Sequence, residues 1–204
     1  MSDSPRRKRS WKRWLALLLI PNLLGAAGYL AYQRWFDTYH LKTVQEGVLY
    51  RDGVQSIDEF KTAVGRVKPR TVVCLVDEKE VADPEKPQFK QEMEYLQSQG
   101  IAVQHIPVKL GGWPTSEDVR QFLETASKPE QQPVLVHCAQ GVRRTGMMVA
   151  AYQMSVQGMD KEKAKAAIET FGHSERTVGD VKKFIDIYDP ANRAVTTTMP
   201  VGRE

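Results

Sequence analysis

One segment restricts the fold of this chain more than any other, because three local patterns follow one another between residues 133 and 152. Residues 133–136 have the apolar character of a buried strand, and residues 147–152 that of a buried helix. A loop that leads from such a strand into a helix N-terminus turns its backbone N–H groups toward one centre, which suits an anion. The segment therefore predicts an α/β architecture with an anion site at the carboxyl end of a central strand.

The loop itself, residues 138–144 and called the signature loop below, predicts the chemistry of this site. Cys138 begins it, and the surrounding N–H groups and helix dipole favour the thiolate, which is the nucleophilic form. Arg144 ends it with a guanidinium that can hold two phosphoryl oxygens. We expect Thr145 to donate a hydrogen bond to the sulfur, and His137 to orient Cys138. The residues predicted to hold the phosphoryl group are Ala139, Gln140, Gly141, Val142, Arg143 and Thr145.

The pattern Cys-x5-Arg-Thr, preceded by His, resembles the signature of the cysteine-dependent protein tyrosine phosphatase superfamily. Three upstream segments, residues 47–53, 70–75 and 100–107, are similar to those of the compact dual-specificity-like phosphatases, including bacterial and atypical members. The resemblance covers residues 44–189. It implies a small mixed central sheet with helices on both faces.

The resemblance also implies a function. It implies phosphoester hydrolysis through a phosphocysteine intermediate on Cys138, with no metal and no cofactor. The expected partners are a phosphorylated protein, a phospholipid or an inositol phosphate. The alternative is a non-catalytic phosphate-binding module tethered to a membrane, although such a module would be expected to lack Cys138 or Arg144.

The N-terminal part of the chain predicts a membrane segment over residues 14–34. At about 1.5 Å per residue, its apolar run is just long enough for a bilayer core of about 30 Å. Small residues at positions 25–27 leave a cleaved signal peptide open as an alternative. The basic cluster in residues 1–13 predicts a cytoplasmic tail, and hence a single-pass protein with its catalytic domain outside the cytoplasm.

The charge distribution argues against a nucleic-acid-binding domain. The chain has 29 Lys and Arg against 25 Asp and Glu. Seven of these basic residues and one acidic residue lie within residues 1–34, so the remainder is slightly acidic, with 22 basic and 24 acidic residues. The basic excess therefore belongs to the tail and indicates no nucleic-acid partner for the catalytic domain.

Periodicity and capping signals divide the rest of the chain. We expect a connector at residues 35–46, a phosphatase domain at 47–189 and a mobile tail at 190–204. Residues 77–87 are predicted to form a loop. The predicted strands are 71–76, 102–107 and 134–138, and the predicted helices are 56–65, 88–99, 115–127, 144–157, 160–171 and 177–188.

The general acid that should protonate the leaving group is difficult to find in the sequence. Related phosphatases usually place an aspartate about thirty residues before the cysteine, but residues 106–112 contain no acid. Asp118 is our candidate for this role, although acids in a first helical turn are also favoured by the helix dipole. Asp77 or Glu78 is a second candidate.

The chain contains only two cysteines, Cys74 and Cys138, which excludes a disulfide-stabilised scaffold. Cys74 lies in an apolar strand pattern that is typical of a buried thiol. By resemblance to some relatives, it is also a possible redox partner that forms a reversible disulfide with Cys138.

Overall fold

The computed structural model describes residues 19–22, 24–29 and 38–196, and the chain divides into two compact units, Met1–Asp37 and Thr38–Glu204. In the first unit, residues 19–22 and 24–29 are helical. Within these described ranges, no helix is long and apolar enough to cross a membrane, so the predicted membrane helix has no support there. The predicted tail 1–13 lies outside the described residues, as do residues 14–18, 23 and 30–34 of the predicted anchor.

A five-stranded mixed sheet forms the centre of the second unit, as the resemblance implies. Its strand order is β1-β2-β5-β3-β4, with β1 antiparallel to β2 and all other neighbours parallel. A separate antiparallel pair, β6 and β7, follows the last helix. The strands are β1 (Lys42–Gln45), β2 (Leu49–Gly53), β3 (Thr71–Cys74), β4 (Ala102–His105), β5 (Val134–Cys138), β6 (Tyr188–Asp189) and β7 (Ala194–Val195).

Seven α-helices are present in the described part of this unit. They are α1 (Ile57–Val67), α2 (Glu78–Val81), α3 (Pro87–Ser98), α4 (Ser116–Ser127), α5 (Arg143–Ser155), α6 (Lys161–Ala166) and α7 (Glu175–Ile187). Apolar residues of α1 and α3 contribute to one buried cluster, and those of α4, α5 and α7 to another. The predicted α/β layering is therefore confirmed.

The central strand β5 is buried along its whole length because it has a parallel neighbour on each side. Successive side chains point to opposite faces, so Val136 and Cys138 belong to the cluster with α4, α5 and α7, whereas Leu135 belongs to the cluster with α1 and α3. The strand therefore delivers Cys138 to the carboxyl edge of the sheet, directly before α5.

Most element boundaries shift by one or two residues, and four predicted segments differ more than this from the structure. The predicted connector 35–46 contains β1, which pairs with β2, and the predicted tail 190–204 contains β7, where the Val195 N–H donates to Ser116 Oγ at 2.9 Å. Residues 197–204 lie outside the described residues.

The other two differences concern helices. The predicted loop 77–87 contains α2, a single turn that Asp77 and Glu80 stabilise through a capping box. The predicted helix 160–171 is shorter in the structure, where α6 ends at Ala166, and the positive φ angles of Phe171 and Gly172, 48° and 77°, exclude both residues from a right-handed helix.

Candidate active site

The signature loop joins β5 to α5 and carries Cys138 at its start. The side chain is 2% exposed, and the Gly141 N–H donates to its sulfur at 3.2 Å. The α5 N-terminus has no side-chain cap, so its first N–H groups remain available to an anion. The loop thus combines a buried thiol with the positive end of a helix.

Gly141 is required by the close approach of β2 to this loop. Its φ is +68°, and a Cβ atom there would lie 2.4 Å from the Asp52 carbonyl oxygen. A side chain at this position would therefore be strained by its backbone conformation and would also collide with backbone. The loop can pack this tightly only with glycine at its centre.

The surroundings of Cys138 favour its thiolate. Burial alone raises the pKa of the thiol, but the Arg144 charge and hydrogen bonds from Thr145 and Gly141 outweigh it, so the pKa lies below its ordinary value. The Thr145 hydroxyl is buried and has no hydrogen-bond partner of standard geometry, and it lies close enough to the sulfur to contribute to this lowering. The environment of Cys138 therefore favours the charged form of its thiol.

Arg144 is fixed in place by Glu80 of α2. The two guanidinium Nη atoms contact the Glu80 carboxylate at 2.5 and 3.2 Å, and Nη1 also donates to the carbonyls of Leu75 and Val108 at 3.2 Å each. The pair is almost fully buried. These contacts hold one side of the guanidinium and leave the rest of it for Cys138 and a phosphoryl group.

Glu80 is a site residue that the sequence reasoning missed. A signal for it exists, because Asp77-x-x-Glu80 has the spacing of a capping box, and a buried arginine needs a carboxylate. That signal identifies a helix start, but it does not identify the arginine that the helix will meet.

Arg143 has a different position from Arg144. Its Nε pairs with Asp180 of α7 at 2.8 Å, and its Nη atoms donate to the Gly111 and Gly112 carbonyls, also at 2.8 Å. The side chain lines the cavity over Cys138, but its donors fasten α5 to α7 and to the loop before α4. Its guanidinium is therefore engaged by protein acceptors.

An open cavity of about 420 Å³ lies over the signature loop. Among the described residues, Glu80 is the only carboxylate in its lining, and Arg144 holds it. The lining is otherwise polar, basic or apolar. It consists of Val54, Gln55, Glu80, Lys86, Gln88, Phe89, Leu110, Gly111, Cys138, Ala139, Gln140, Arg143, Arg144 and Thr177.

Comparison with known proteins places this site in a family. Residues 42–187 match the sequence profile of PTP-NADK, described as a DSP-PTPase phosphatase fused to NAD+ kinase. The chain belongs to this family. The DSP-PTPase domain is 38% identical over 74 residues to the dual specificity protein phosphatase TpbA of Pseudomonas aeruginosa, covering 33% of each protein. It is 34% identical over 56 residues to the probable chloroplastic NAD kinase 2 of Oryza sativa subsp. japonica, covering 28% of this chain and 6% of that protein.

Solved structures share the fold of the DSP-PTPase domain. The crystal structure of TpbA matches with a TM-score of 0.55 at 24% identity, covering 72% of this chain and 83% of that one. The core catalytic domain of the PP-IP phosphatase SIW14 from S. cerevisiae matches with a TM-score of 0.60 at 21% identity, covering 74% and 87%. The predicted resemblance of this chain to the compact dual-specificity-like phosphatases is confirmed.

The structure does not bring Asp118 to the cavity of the DSP-PTPase domain. Its carboxylate accepts the Thr115 N–H at 2.7 Å, and Thr115 Oγ1 accepts the Asp118 N–H at 3.1 Å, which closes a capping box on α4. Asp77 caps α2 and accepts the Leu110 N–H at 3.3 Å, and its pKa is lowered, chiefly by a backbone hydrogen bond from Lys79. Glu78 is exposed on α2. None of the three candidate acids is among the residues that line the cavity, although the Arg144 charge is one of the smaller causes that lower the pKa of Asp77.

His137 and Cys74 lie on the other face of the sheet from Cys138. The Nε2 atom of His137 is 2.8 Å from a Glu92 carboxylate oxygen, and the Cys74 thiol lies beside the ring. Strand alternation explains this, because Cys74 pairs with His137 across β3 and β5, whereas Cys138 is one position further along. The imidazole therefore faces Glu92, whereas the sequence predicted that it would orient Cys138, and both cysteines are free thiols in the structure.

Proposed function

We propose that this chain hydrolyses phosphate monoesters through a covalent intermediate on Cys138. The observation that carries the proposal is the buried thiol whose pKa is lowered, despite its burial, by the Arg144 charge and the Thr145 and Gly141 hydrogen bonds. A thiolate with a guanidinium beside it, on an anion-binding loop, suits attack on phosphorus.

The reaction has two steps. In the first, the Cys138 thiolate attacks phosphorus, a P–S bond forms, and the P–O bond to the leaving group breaks. In the second, water attacks phosphorus, the P–S bond breaks, and inorganic phosphate leaves with the thiolate restored. Arg144 holds the phosphoryl oxygens in both steps, and the Thr145 hydroxyl stabilises the departing thiolate. No step uses a metal or a cofactor.

We infer that the substrate is a phosphoprotein or an inositol or lipid phosphate. The wide cavity, about 420 Å³, supports a site that accepts more than one phosphoester. Three similar proteins support this range, because TpbA is a dual specificity protein phosphatase, SIW14 is a PP-IP phosphatase, and the fold is shared with PTPMT1, whose crystal structure is a complex with PI(5)P.

The function is tested with a panel of phosphopeptides, phospholipids and inositol phosphates, together with an aryl phosphate. Wild type should turn over at least one class and should form a phosphoprotein labelled at Cys138. Cys138→Ser should bind phosphate without turnover, and Cys74→Ser, which changes the other thiol, should remain active. A wild-type protein that binds phosphate but turns over none of these classes would instead be the non-catalytic module.

We also propose that residues 14–34 anchor the protein in a membrane with the N-terminus in the cytoplasm. The apolar run and the basic cluster before it support this topology. A reporter fused to the C-terminus should be active only outside the cytoplasm, and full-length protein should resist extraction with carbonate. A reporter that is active in the cytoplasm would mean that the orientation is the reverse of the proposed one. Release of the protein into the carbonate supernatant would contradict the anchor.

A further inference from the structure

A second arginine, Arg51 of β2, contacts the signature loop from behind. Its side chain is buried, with 2% exposure, and its Nη2 donates to the Gly141 carbonyl at 2.6 Å and approaches the Val142 carbonyl at 3.5 Å. Arg51 is absent from the cavity lining, so it acts on the loop rather than on a bound phosphoryl group directly.

The end of β2 shapes the loop over three successive residues. The backbone of Asp52 and Gly53 lies directly against that of Gln140 and Gly141. A Cβ atom built on Gly53 or on Gly141 would lie 2.8 Å or less from backbone atoms of the opposing segment. The Val54 N–H then donates to the Ala139 carbonyl at 2.9 Å. Because β2 pairs with β5 in parallel up to Gly53 and Cys138, the register of the sheet fixes this contact.

The direction of each peptide group explains what Arg51 does. In a trans peptide, the carbonyl and the following N–H point in opposite directions. The neighbouring peptide shows the consequence: His40 Nδ1 contacts the Gln140 carbonyl at 2.7 Å on the outside, and the Gly141 N–H on the inside reaches Cys138 Sγ at 3.2 Å. By the same rule, a hydrogen bond to the outward Gly141 carbonyl turns the Val142 N–H inward.

We propose that Arg51 is a positioning residue of this phosphatase, which holds the Gly141 carbonyl outward so that the Val142 N–H faces the phosphoryl group. The proposal rests on the proposed function, because it takes Cys138 as the nucleophile. It assigns Arg51 a role in the geometry and charge of the loop and none in direct contact with substrate.

The charge of Arg51 has an unusual environment that supports this role. Among the described residues, it forms no ion pair with a carboxylate, and the Phe171 ring covers its guanidinium at 5.2 Å. Burial lowers the pKa of Arg51 to about 10, and the Cys138 thiolate and Glu169 act in the opposite direction. Arg51 thus stays protonated at neutral pH, and the thiolate is among the charges that compensate it.

The test measures the Cys138 thiol directly in Arg51→Met, Arg51→Lys and the control Arg120→Met, which removes an exposed arginine of α4. The rate of alkylation by iodoacetamide is followed against pH, with the labelled cysteine identified by mass spectrometry. We expect the thiol pKa of Arg51→Met to rise by about one unit, which slows alkylation about tenfold below the wild-type pKa. Arg120→Met should behave as wild type.

Arg51→Lys separates charge from hydrogen-bond geometry. Lysine retains the positive charge but lacks the planar fork, so the thiol pKa should stay near that of wild type while vanadate binding weakens at least tenfold. The other titratable groups that face Cys138 or Arg51, namely Arg144, Tyr39 and Glu169, are unchanged in all variants.

The outcomes distinguish this proposal from the proposed function. Alkylation needs no turnover, so a protein without phosphatase activity can still show the expected change of thiol pKa. A folded Arg51→Met with the wild-type thiol pKa and wild-type vanadate affinity overturns the proposal. If Arg51→Met does not fold, Arg51→Lys decides alone, and vanadate affinity equal to that of wild type overturns it.

Discussion

At the scale of single residues, the proposed function gives the buried pair of Arg144 and Glu80 a catalytic consequence besides its effect on stability. Removing one charge from a buried ion pair leaves the other without compensation, which costs about 3–5 kcal/mol. Glu80→Gln should therefore lower the free energy of unfolding by several kcal/mol. It should also lower kcat/KM at least about tenfold, because Arg144 is no longer held toward Cys138. Urea denaturation and steady-state kinetics measure the two effects.

The matched control for Glu80→Gln lies two residues earlier in the same helical turn. Glu78 is exposed, and its substitution by Gln changes the charge of α2 equally without touching Arg144. Glu78→Gln should leave kcat/KM within a factor of two of wild type. If both variants lose activity equally, the charge of α2 matters in general, and the ion pair does not.

Asp52 predicts an unusual dependence of stability on pH. Burial raises its pKa to about 8, although the His137 charge and the Gly53 N–H act in the opposite direction, and neither carboxylate oxygen has a hydrogen bond of standard geometry among the described residues. The folded protein therefore keeps a proton that the unfolded chain releases near pH 4, and the stability that this proton confers is lost as the pH rises toward 8. The free energy of unfolding should fall by up to about 1.4 kcal/mol per pH unit in this window.

Asp52→Asn should remove this slope and be more stable than wild type at pH 8. Urea denaturation at pH 5, 6.5 and 8 measures it. Asp58→Asn, which changes an exposed aspartate of α1, should keep the wild-type slope. A wild-type slope in Asp52→Asn would mean that Asp52 is already ionised in the folded protein.

At the scale of elements, the capping box of α4 accounts for Asp118. Removing a helix cap costs about 1 kcal/mol. Asp118→Ala should therefore lower the free energy of unfolding by about this amount and leave turnover of an alkyl phosphate unchanged. Glu117→Ala, which removes an exposed acid from the same turn, is the control. Loss of the acid limb of the pH–rate profile in Asp118→Ala alone would instead identify Asp118 as the general acid.

The elements also show what the sequence could predict. The strand β5, the signature loop and α5 follow from one continuous pattern, since each is specified by adjacent residues. The strand β2 does not, because its sequence LYRDG buries an arginine and an aspartate and so lacks the pattern of a buried strand.

The same distinction holds for the site. Cys138 and Arg144 could be placed because both lie in one local motif. Glu80 and Arg51 could not, since they meet their partners across 64 and 90 residues of chain. Only the order of strands in the sheet brings those positions together, and neither periodicity nor capping signals encode that order.

At the scale of the whole molecule, neither of two elements that border the cavity supplies it with an unpaired carboxyl group. The loop before α4 contributes Leu110 and Gly111 to the cavity, and α2 contributes Glu80, which is paired with Arg144. Within the described residues, the cavity thus contains the Cys138 thiol and polar and basic side chains but no unpaired carboxyl group. The barrier to expulsion of the leaving group must then depend strongly on the leaving group itself.

We therefore expect kcat/KM to fall steeply as the pKa of the leaving group rises. Nitrophenyl phosphate should react at least a hundredfold faster than an alkyl phosphate, which corresponds to about 2.7 kcal/mol in the barrier. A phosphoanhydride, whose leaving group is itself a phosphate, should approach the aryl ester. A series of substituted aryl phosphates at fixed pH measures the dependence, with Cys138→Ser giving the uncatalysed background.

A flat dependence together with an acid limb in the pH–rate profile would mean that a proton donor reaches the cavity during turnover. A steep dependence would mean that substrates with good leaving groups are preferred because the cavity lacks an acid.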